Sequence, residues 1–236
     1  MTGPPQIELV DVSVRSDDDP EQAIVKDVRW SICEGERWAL CGGPASGKSS
    51  LLATAAGLNA PASGVVRIFG QDLAEASDAD QVAWRQGIGF VFENEGRLLR
   101  RLSVAENLAL PLRYHGNLHA DEARERVMEL LALAGLESLA SAMPGRLSTA
   151  TQRRVALLRA LAAPIRVLFL DDPLRGLAPS DVSWWLRFLR ERHAASTPPL
   201  AIVVSSYDFG PWRDDADHFA VVEDGRFRMA PAPSAT

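Results

Sequence analysis

Residues 37–57 read RWALCGGPASGKSSLLATAAG. RWALC is short and apolar, which predicts a strand, and a glycine-rich loop follows it. Lys48 then opens a run of helix-forming residues that Gly57 stops. Strand, glycine loop and helix in that order begin an α/β unit. Within the unit, Gly42, Gly43, Pro44, Ala45, Ser46, Gly47, Lys48 and Ser49 match the spacing G-x-x-x-x-G-K-[ST], and Ser50 completes the predicted nucleotide-binding set. The pattern has a physical purpose. Glycines let backbone N–H groups close around phosphate oxygens, and the helix N-terminus adds positive potential. Lys48 reaches the terminal phosphates and Ser49 supplies a Mg²⁺ ligand. The plain alternative is a glycine turn that happens to precede a lysine, and the strand-to-helix context argues against it.

Upstream, IELVDVSV (7–14) and VRWSI (28–32) are strand-like runs around the acidic turn SDDDPE, which predicts antiparallel strands at the start of the chain. Downstream, VLFL (167–170) and AIVV (201–204) are apolar without alternation, as expected of strands covered on both faces of a parallel sheet. The region from Ser103 to Gly135 is helical in pattern. SVAE makes a capping box at its start, Pro111 interrupts it, and Ala123, Val127, Leu130, Leu131 and Ala134 recur at helix spacing. This predicts an α-helical subdomain inserted in an α/β core. FAVVEDGRFRM predicts a hairpin turning at Asp224-Gly225, and APAPSAT a loose tail. The expected divisions are 1–92 for the first part of the core, 93–162 for the helical subdomain with its flanking motifs, 163–228 for the second part of the core and 229–236 for the tail.

The chain has 236 residues, 47% of them hydrophobic, enough to bury a sizeable core. Its formal net charge of −6 argues against general nucleic-acid binding, which needs a basic surface. The two cysteines, Cys33 and Cys41, lie in apolar strand-like runs without metal-ligand spacing, and read as small core residues of a reducing compartment. No apolar run approaches the roughly 20 residues of a bilayer span, so a membrane role would come through a partner. His115, His119, His193 and His218 show no metal spacing.

A second acidic motif supports the loop. VLFLDD puts Asp171 at the end of a buried strand, where its carboxylate can hold the Mg²⁺ of the same nucleotide, and directs Asp172 toward an attacking water. Alone, the pair would read as the cap of a following turn.

These motifs in this order resemble the nucleotide-binding subunit of ATP-binding cassette (ABC) transporters over nearly the whole chain. The phosphate loop falls at 42–49, and IGFVFE lies where the family has its Q-loop. LSTATQRRVALLRAL stands in place of the LSGGQ signature, LFLDDPLRGLAP in place of the acidic strand and D-loop, and VVSSYD in place of the switch-histidine segment. The resemblance implies a P-loop NTPase of ABC type: a mixed sheet with an N-terminal antiparallel portion and an inserted helical subdomain. It implies ATP and Mg²⁺ as cofactors, and transmembrane permease subunits and a second cassette, identical or not, as partners. Its implied place is peripheral, on the cytoplasmic face of the inner membrane, with membrane contact only through the permease.

The departures fall on residues that do chemistry in the family. Glu93 replaces the Q-loop glutamine, near Mg²⁺ and the attacking water, and the resemblance implies it as a metal ligand with Ser49 and Asp171 and as a catalytic residue with Asp172 and Tyr207. Asp172 replaces the catalytic glutamate and is one methylene shorter, so a base that needs a reach of about 2.6–3.2 Å stands farther from the water. Tyr207 replaces the switch histidine and offers one phenolic hydrogen bond. Ala178 replaces the D-loop aspartate, and Ser16 aligns with the adenine-stacking aromatic. In the signature, which serves the partner's nucleotide, Ser148 keeps its hydroxyl, Thr149 and Ala150 add β-carbons where the family has glycines, and Thr151 replaces glutamine. Ser148 reads equally as a helix cap. Slow hydrolysis follows from these changes. The alternative is a regulatory or structural cassette that binds Mg·ATP, scarcely hydrolyses it and pairs with an active ATPase.

FENEGRLLRRLSVAENLALPLRYHG resembles the Q-loop and coupling region of Mla/Mce-type lipid-trafficking ATPases, which suggests lipid cargo. Arg97, Arg100 and Arg101 in it would meet a coupling helix or anionic headgroups, or form a solvated face. Trp184 and Trp185 are expected on a helix, packed against the core.

Overall fold

The computed structural model describes residues 5–16, 22–93, 97–115 and 119–233. Its strands are β1 (Pro5–Arg15), β2 (Ala23–Cys33), β3 (Arg37–Cys41), β4 (Ser63–Ile68), β5 (Gln71–Asp72), β6 (Ile88–Val91), β7 (Val167–Leu170), β8 (Ala201–Ser206), β9 (His218–Glu223) and β10 (Arg226–Ala230). Its α-helices are α1 (Lys48–Ala55), α2 (Asp78–Gly87), α3 (Val104–His115), α4 (Ala120–Ala134), α5 (Thr149–Ala160) and α6 (Pro179–Ala195).

All ten strands join one sheet in the order β5-β4-β1-β2-β10-β9-β3-β8-β7-β6. Alternation sets the first half. Ile7, Leu9, Val12 and Val14 of β1 are buried and stand opposite Ile32, Trp30, Val28 and Val25 of β2, an antiparallel pair with bulges that bend it. In the second half, β3 lies parallel to both β8 and β9, and β8, β7 and β6 continue in parallel. The two halves meet where β10 pairs in parallel with β2 through Arg226 and Lys26. Between β9 and β10 the chain turns at Asp224 (φ 49°) and Gly225 (φ 69°), the two consecutive left-handed residues a tight hairpin requires. The mixed sheet, the antiparallel opening and the final hairpin match the expectation. The segment 17–21, most of the acidic turn, lies outside the described residues, as do residues 94–96 and the last three of the tail.

The unbroken apolar runs are explained by two cores. Val167 and Phe169 face one core with Leu51 and Leu52 of α1, whereas Leu168 and Leu170 face the other with the helices of the inserted region. In that second core Leu108, Leu131, Val155 and Trp185 bring α3, α4, α5 and α6 onto the sheet. Ala123, Val127, Leu130, Leu131 and Ala134 form the buried stripe of α4.

Two elements differ from the sequence reading. Pro111 does not interrupt its helix: α3 runs through it from Val104 to His115. An interior proline costs about 3 kcal/mol in helix propensity, and burial of Val104, Leu108 and Leu112 along one face offsets it. Helix α2 went unread because Trp84 and Gly87 are its buried residues, too few for a periodic signal. Its start is nonetheless written in the sequence, since Ser77 and Asp80 form a capping box.

The capping box of α3 forms as expected. Ser103 Oγ accepts from Glu106 N at 3.2 Å, and Glu106 Oε2 accepts from Ser103 N at 2.7 Å. Replacing Ser103 with alanine is expected to cost about 1 kcal/mol, measured by urea unfolding. A glycine at the same position is expected to cost only a few tenths of a kcal/mol.

Candidate functional site

Strand β3 delivers the chain into the loop 42–47, and sterics fix the loop's shape. A β-carbon on Gly42 would lie 2.4 Å from the Val222 carbonyl oxygen. Gly47 has φ 96° and packs against Val25, so only glycine fits at the start of α1. No side chain caps that helix and no acidic residue stands in its first turn, leaving the positive end of its dipole directed at the loop. Lys48 Nζ donates to the carbonyls of Gly42 (2.7 Å) and Gly43 (2.8 Å), which stretches the side chain along the inside of the loop. Burial pulls its pKa below the ordinary lysine value, against the opposing pull of Asp172 and Asp171.

Strand β7 ends at Leu170, and Asp171 follows it directly, 6% exposed. Its Oδ1 accepts from Ser49 Oγ at 3.0 Å and from Ser205 Oγ at 2.6 Å. Ser205 also accepts from Asp172 N at 2.9 Å, so one β8 hydroxyl sets both acidic residues. Burial pushes both carboxyls above the usual carboxylate range, and for Asp172 the neighbouring Glu93 charge adds to the effect. Asp172 itself sits at φ 43°, a conformation that turns the chain sharply out of β7. Ser205 was not singled out from the sequence. Its signal is its place near the end of an apolar strand, inside the switch-like segment VVSSYD.

Glu93 is close enough to influence Asp171, Asp172 and Lys48 electrostatically, but its carboxylate is engaged in an ion pair with Arg175. Tyr207 follows β8 directly and is 64% exposed. Ser148 caps α5, accepting from Thr151 N at 3.2 Å and sharing a 2.9 Å hydrogen bond with the Thr151 hydroxyl. The cap reading of Ser148 is therefore correct, with Thr149 and Ala150 opening the helix behind it. Ser16 closes the β1–β2 connection through its N–H to the Gln22 carbonyl. Cys41 is buried, with its thiol pushed up to about 12 mainly by desolvation. Cys33 is half-buried. Trp185 is fully buried, as expected, and Trp184 half-buried beneath the Arg154 guanidinium.

Among the described residues no group of three or more His, Cys, Asp or Glu side chains could hold a metal ion by itself. The Ser49–Asp171 pair offers hard oxygen donors in a small number, which fits Mg²⁺ completed by phosphate oxygens and water rather than an all-protein cage. Beside this pair opens a cleft of about 540 Å³, walled by Phe90, Phe92, Arg97 and Leu58. Among the described residues no helix is long and apolar enough to cross a membrane.

A steric phosphate loop at a helix N-terminus, with a lysine inside it and a serine–aspartate pair at its floor, defines a P-loop nucleotide-binding protein. Residues 25–175 match the family model described as ABC transporter, and the chain belongs to that family. It is 34% identical over 202 residues to the methionine import ATP-binding protein MetN of Cereibacter sphaeroides, covering 86% of this chain and 56% of that protein. It is 36% identical over 214 residues to the sulfate/thiosulfate import ATP-binding protein CysA of Nocardia farcinica, covering 89% and 61%. The nickel import ATP-binding protein NikO of Rhodobacter capsulatus is 37% identical over 193 residues, covering 80% and 75%. The chain thus spans a little over half the length of the MetN and CysA relatives. Among solved structures, a dimeric ATP-binding cassette in a post-hydrolysis state with ADP and Pi superposes with TM-score 0.85 at 28% identity, covering 97% of this chain and all of that one. The cbiO1 protein of Clostridium perfringens, part of the cbiONQ transporter complex, superposes with TM-score 0.82 at 26% identity over 98% of this chain and 90% of that one. The fold is accordingly that of the ABC ATPase cassettes.

Proposed function

We propose that the chain is the ATP-binding subunit of an ABC transporter, coupling ATP binding and slow hydrolysis to the movement of a solute across a membrane. The observation that carries this reading is the placement of Lys48 inside the phosphate loop with Ser49 and Asp171 joined at 3.0 Å below it. The loop residues Gly42 to Ser50 would bind the phosphates, with Lys48 on the terminal ones. Ser49 and Asp171 would hold Mg²⁺, which when bound neutralises developing phosphate charge. Asp172 would accept the proton of the attacking water, and Tyr207 would donate its phenolic hydrogen to the γ-phosphate.

In the proposed assembly two cassettes face each other, as in the dimeric cassette structure, and Ser148, Thr149, Ala150 and Thr151 serve the partner's nucleotide. The proposed division of labour follows the sequence: residues 1–92 and 163–228 build the nucleotide-binding core, 93–162 the part that meets the permease, and 229–236 the tail. The cassette would sit on the cytoplasmic face, bound to the membrane only through transmembrane subunits. The relatives reported above are named for import of methionine, sulfate/thiosulfate and nickel, which favours an importer. The lipid reading rests on residues 92–116 alone and is not supported by those names.

Slow turnover has a direct test. Asp172→Glu combined with Tyr207→His is expected to raise steady-state hydrolysis by about tenfold or more, since a correctly placed base is worth roughly 10²–10⁴. Unchanged turnover in the assembled complex would put the limit in the signature or the membrane partner. Tight Mg·ATP binding with background turnover in both chains would instead mark a regulatory cassette.

A further inference from the structure

Glu93 lies at the start of the connection from β6 toward α3, and Arg175 lies in the loop that carries on from Asp172. The two form an ion pair although 82 residues separate them. Arg175 is held from its other side as well. Arg153 of α5 donates through Nη1 to the carbonyl of Arg175 and to that of Pro173, the latter at 3.4 Å. Three segments are thereby tied together: the connection into the helical subdomain, the loop after the acidic strand and the helix that Ser148 caps. The chemistry of the pair follows from its surroundings. Asp171 donates its N–H to the Val91 carbonyl at 2.9 Å, which brings the chain two residues before Glu93 alongside the Ser49–Asp171 pair. The charges of Asp172, Asp171 and Glu93 all act on Lys48, so a carboxylate freed at position 93 would add anionic charge to this corner.

We propose that Arg175 is a positioning residue that holds the Glu93 carboxylate away from the Ser49–Asp171 corner, and that the pair latches the helical subdomain to the nucleotide-binding core. This inference rests on the nucleotide-site reading. With the latch closed, the metal corner keeps its two protein oxygens and the field on the incoming triphosphate is less negative. With the latch broken, Glu93 competes in opposite directions. It adds an oxygen ligand for Mg²⁺ and repels metal-free triphosphate.

The experiment compares four purified chains: wild type, Arg175→Ala, Glu93→Gln and the double variant. Side-chain exposure of 67% for Arg175 makes its replacement compatible with folding. Binding of a fluorescent ATP analogue is titrated with Mg²⁺ and, separately, in EDTA. Arg175→Ala is expected to lower the Mg²⁺ concentration for half-maximal binding by about threefold, and to weaken metal-free binding by about threefold, the scale of a partly exposed ion pair. Both changes are expected to vanish in the Glu93→Gln background, and Arg175→Lys is expected to restore most of the wild-type behaviour. Equal changes in both backgrounds, or no change in the Mg²⁺ dependence, would overturn the proposal. Melting of the ligand-free chains separates the latch from the nucleotide reading. Non-additive melting shifts that shrink in 1 M salt support the latch, and additive shifts sink it, whether or not the wild type binds the analogue. Failure of the wild type to bind would count against the nucleotide site itself.

Discussion

Replacing Lys48 with alanine is expected to weaken Mg·ATP binding by about 100-fold or more and to take hydrolysis to background. The Lys48 ammonium lies within hydrogen-bond distance of two loop carbonyls, at 2.7 and 2.8 Å, so it is already aligned along the concave side of the loop. A charge-assisted hydrogen bond contributes about 1.5–3 kcal/mol. Losing two such bonds to phosphate oxygens therefore costs about 3 kcal/mol or more, which is about 100-fold in affinity. Burial lowers the lysine pKa while Asp172 and Asp171 pull it back, so removing the cation also leaves those carboxylates facing a polyanion. The loop itself is expected to persist, because Gly42 and Gly47 are fixed by close packing against Val222 and Val25 rather than by the lysine. Isothermal titration with Mg·ATP, alongside a melting curve, checks both statements. Wild-type affinity in the alanine variant would mean that this loop is not the phosphate site.

Truncating Trp185 to alanine is expected to destabilise the chain by about 3–5 kcal/mol. The indole is fully buried on α6, within the core that gathers the inserted helices onto the sheet. Its neighbour Trp184 meets it edge-on at 6.1 Å and stacks on Phe188 at 4.8 Å, so the cavity left by truncation is bordered by rigid rings that cannot collapse into it. Phenylalanine at 185 is expected to cost far less. The indole N–H is buried without a hydrogen-bond partner, so its removal relieves a desolvated donor while most apolar area stays covered. Urea unfolding of the two variants gives the comparison. Equal costs for Trp185→Ala and Trp185→Phe would mean that the N–H makes a favourable contact in solution. Because Arg154 of α5 bridges to Asp181 of α6 at 2.5 Å and covers Trp184, loosening α6 is also expected to loosen the helix that Ser148 caps.

Legibility differed from element to element for physical reasons. The phosphate loop was readable because each of its requirements is local: a left-handed glycine, a helix start, and a lysine and serine at fixed spacing. The β9–β10 turn was readable for the same reason, since Asp224-Gly225 carries the left-handed preference in two adjacent residues. Helix α2 was not, because its buried contribution is nearly one tryptophan. The path of α3 through Pro111 was not, because propensity penalises the proline while the compensating burial of Leu108 and Leu112 depends on partners far along the chain. At the candidate site the sequence supplied Lys48, Ser49, Asp171 and Asp172, whereas Ser205 lay within VVSSYD with no role that the sequence assigned to it.

The sequence by itself determined the α/β class, the phosphate loop, the acidic strand and the inserted helical region, because these rest on periodicity and on interactions a few residues long. Only the tertiary structure decided which oxygen atoms share Asp171 and where the Glu93 carboxylate goes. Those outcomes depend on strands β7 and β8 lying side by side and on two loops meeting across 82 residues. Local chemistry writes its rules into neighbouring residues, whereas a contact between distant segments is set by packing, and packing leaves no spacing in the sequence to read.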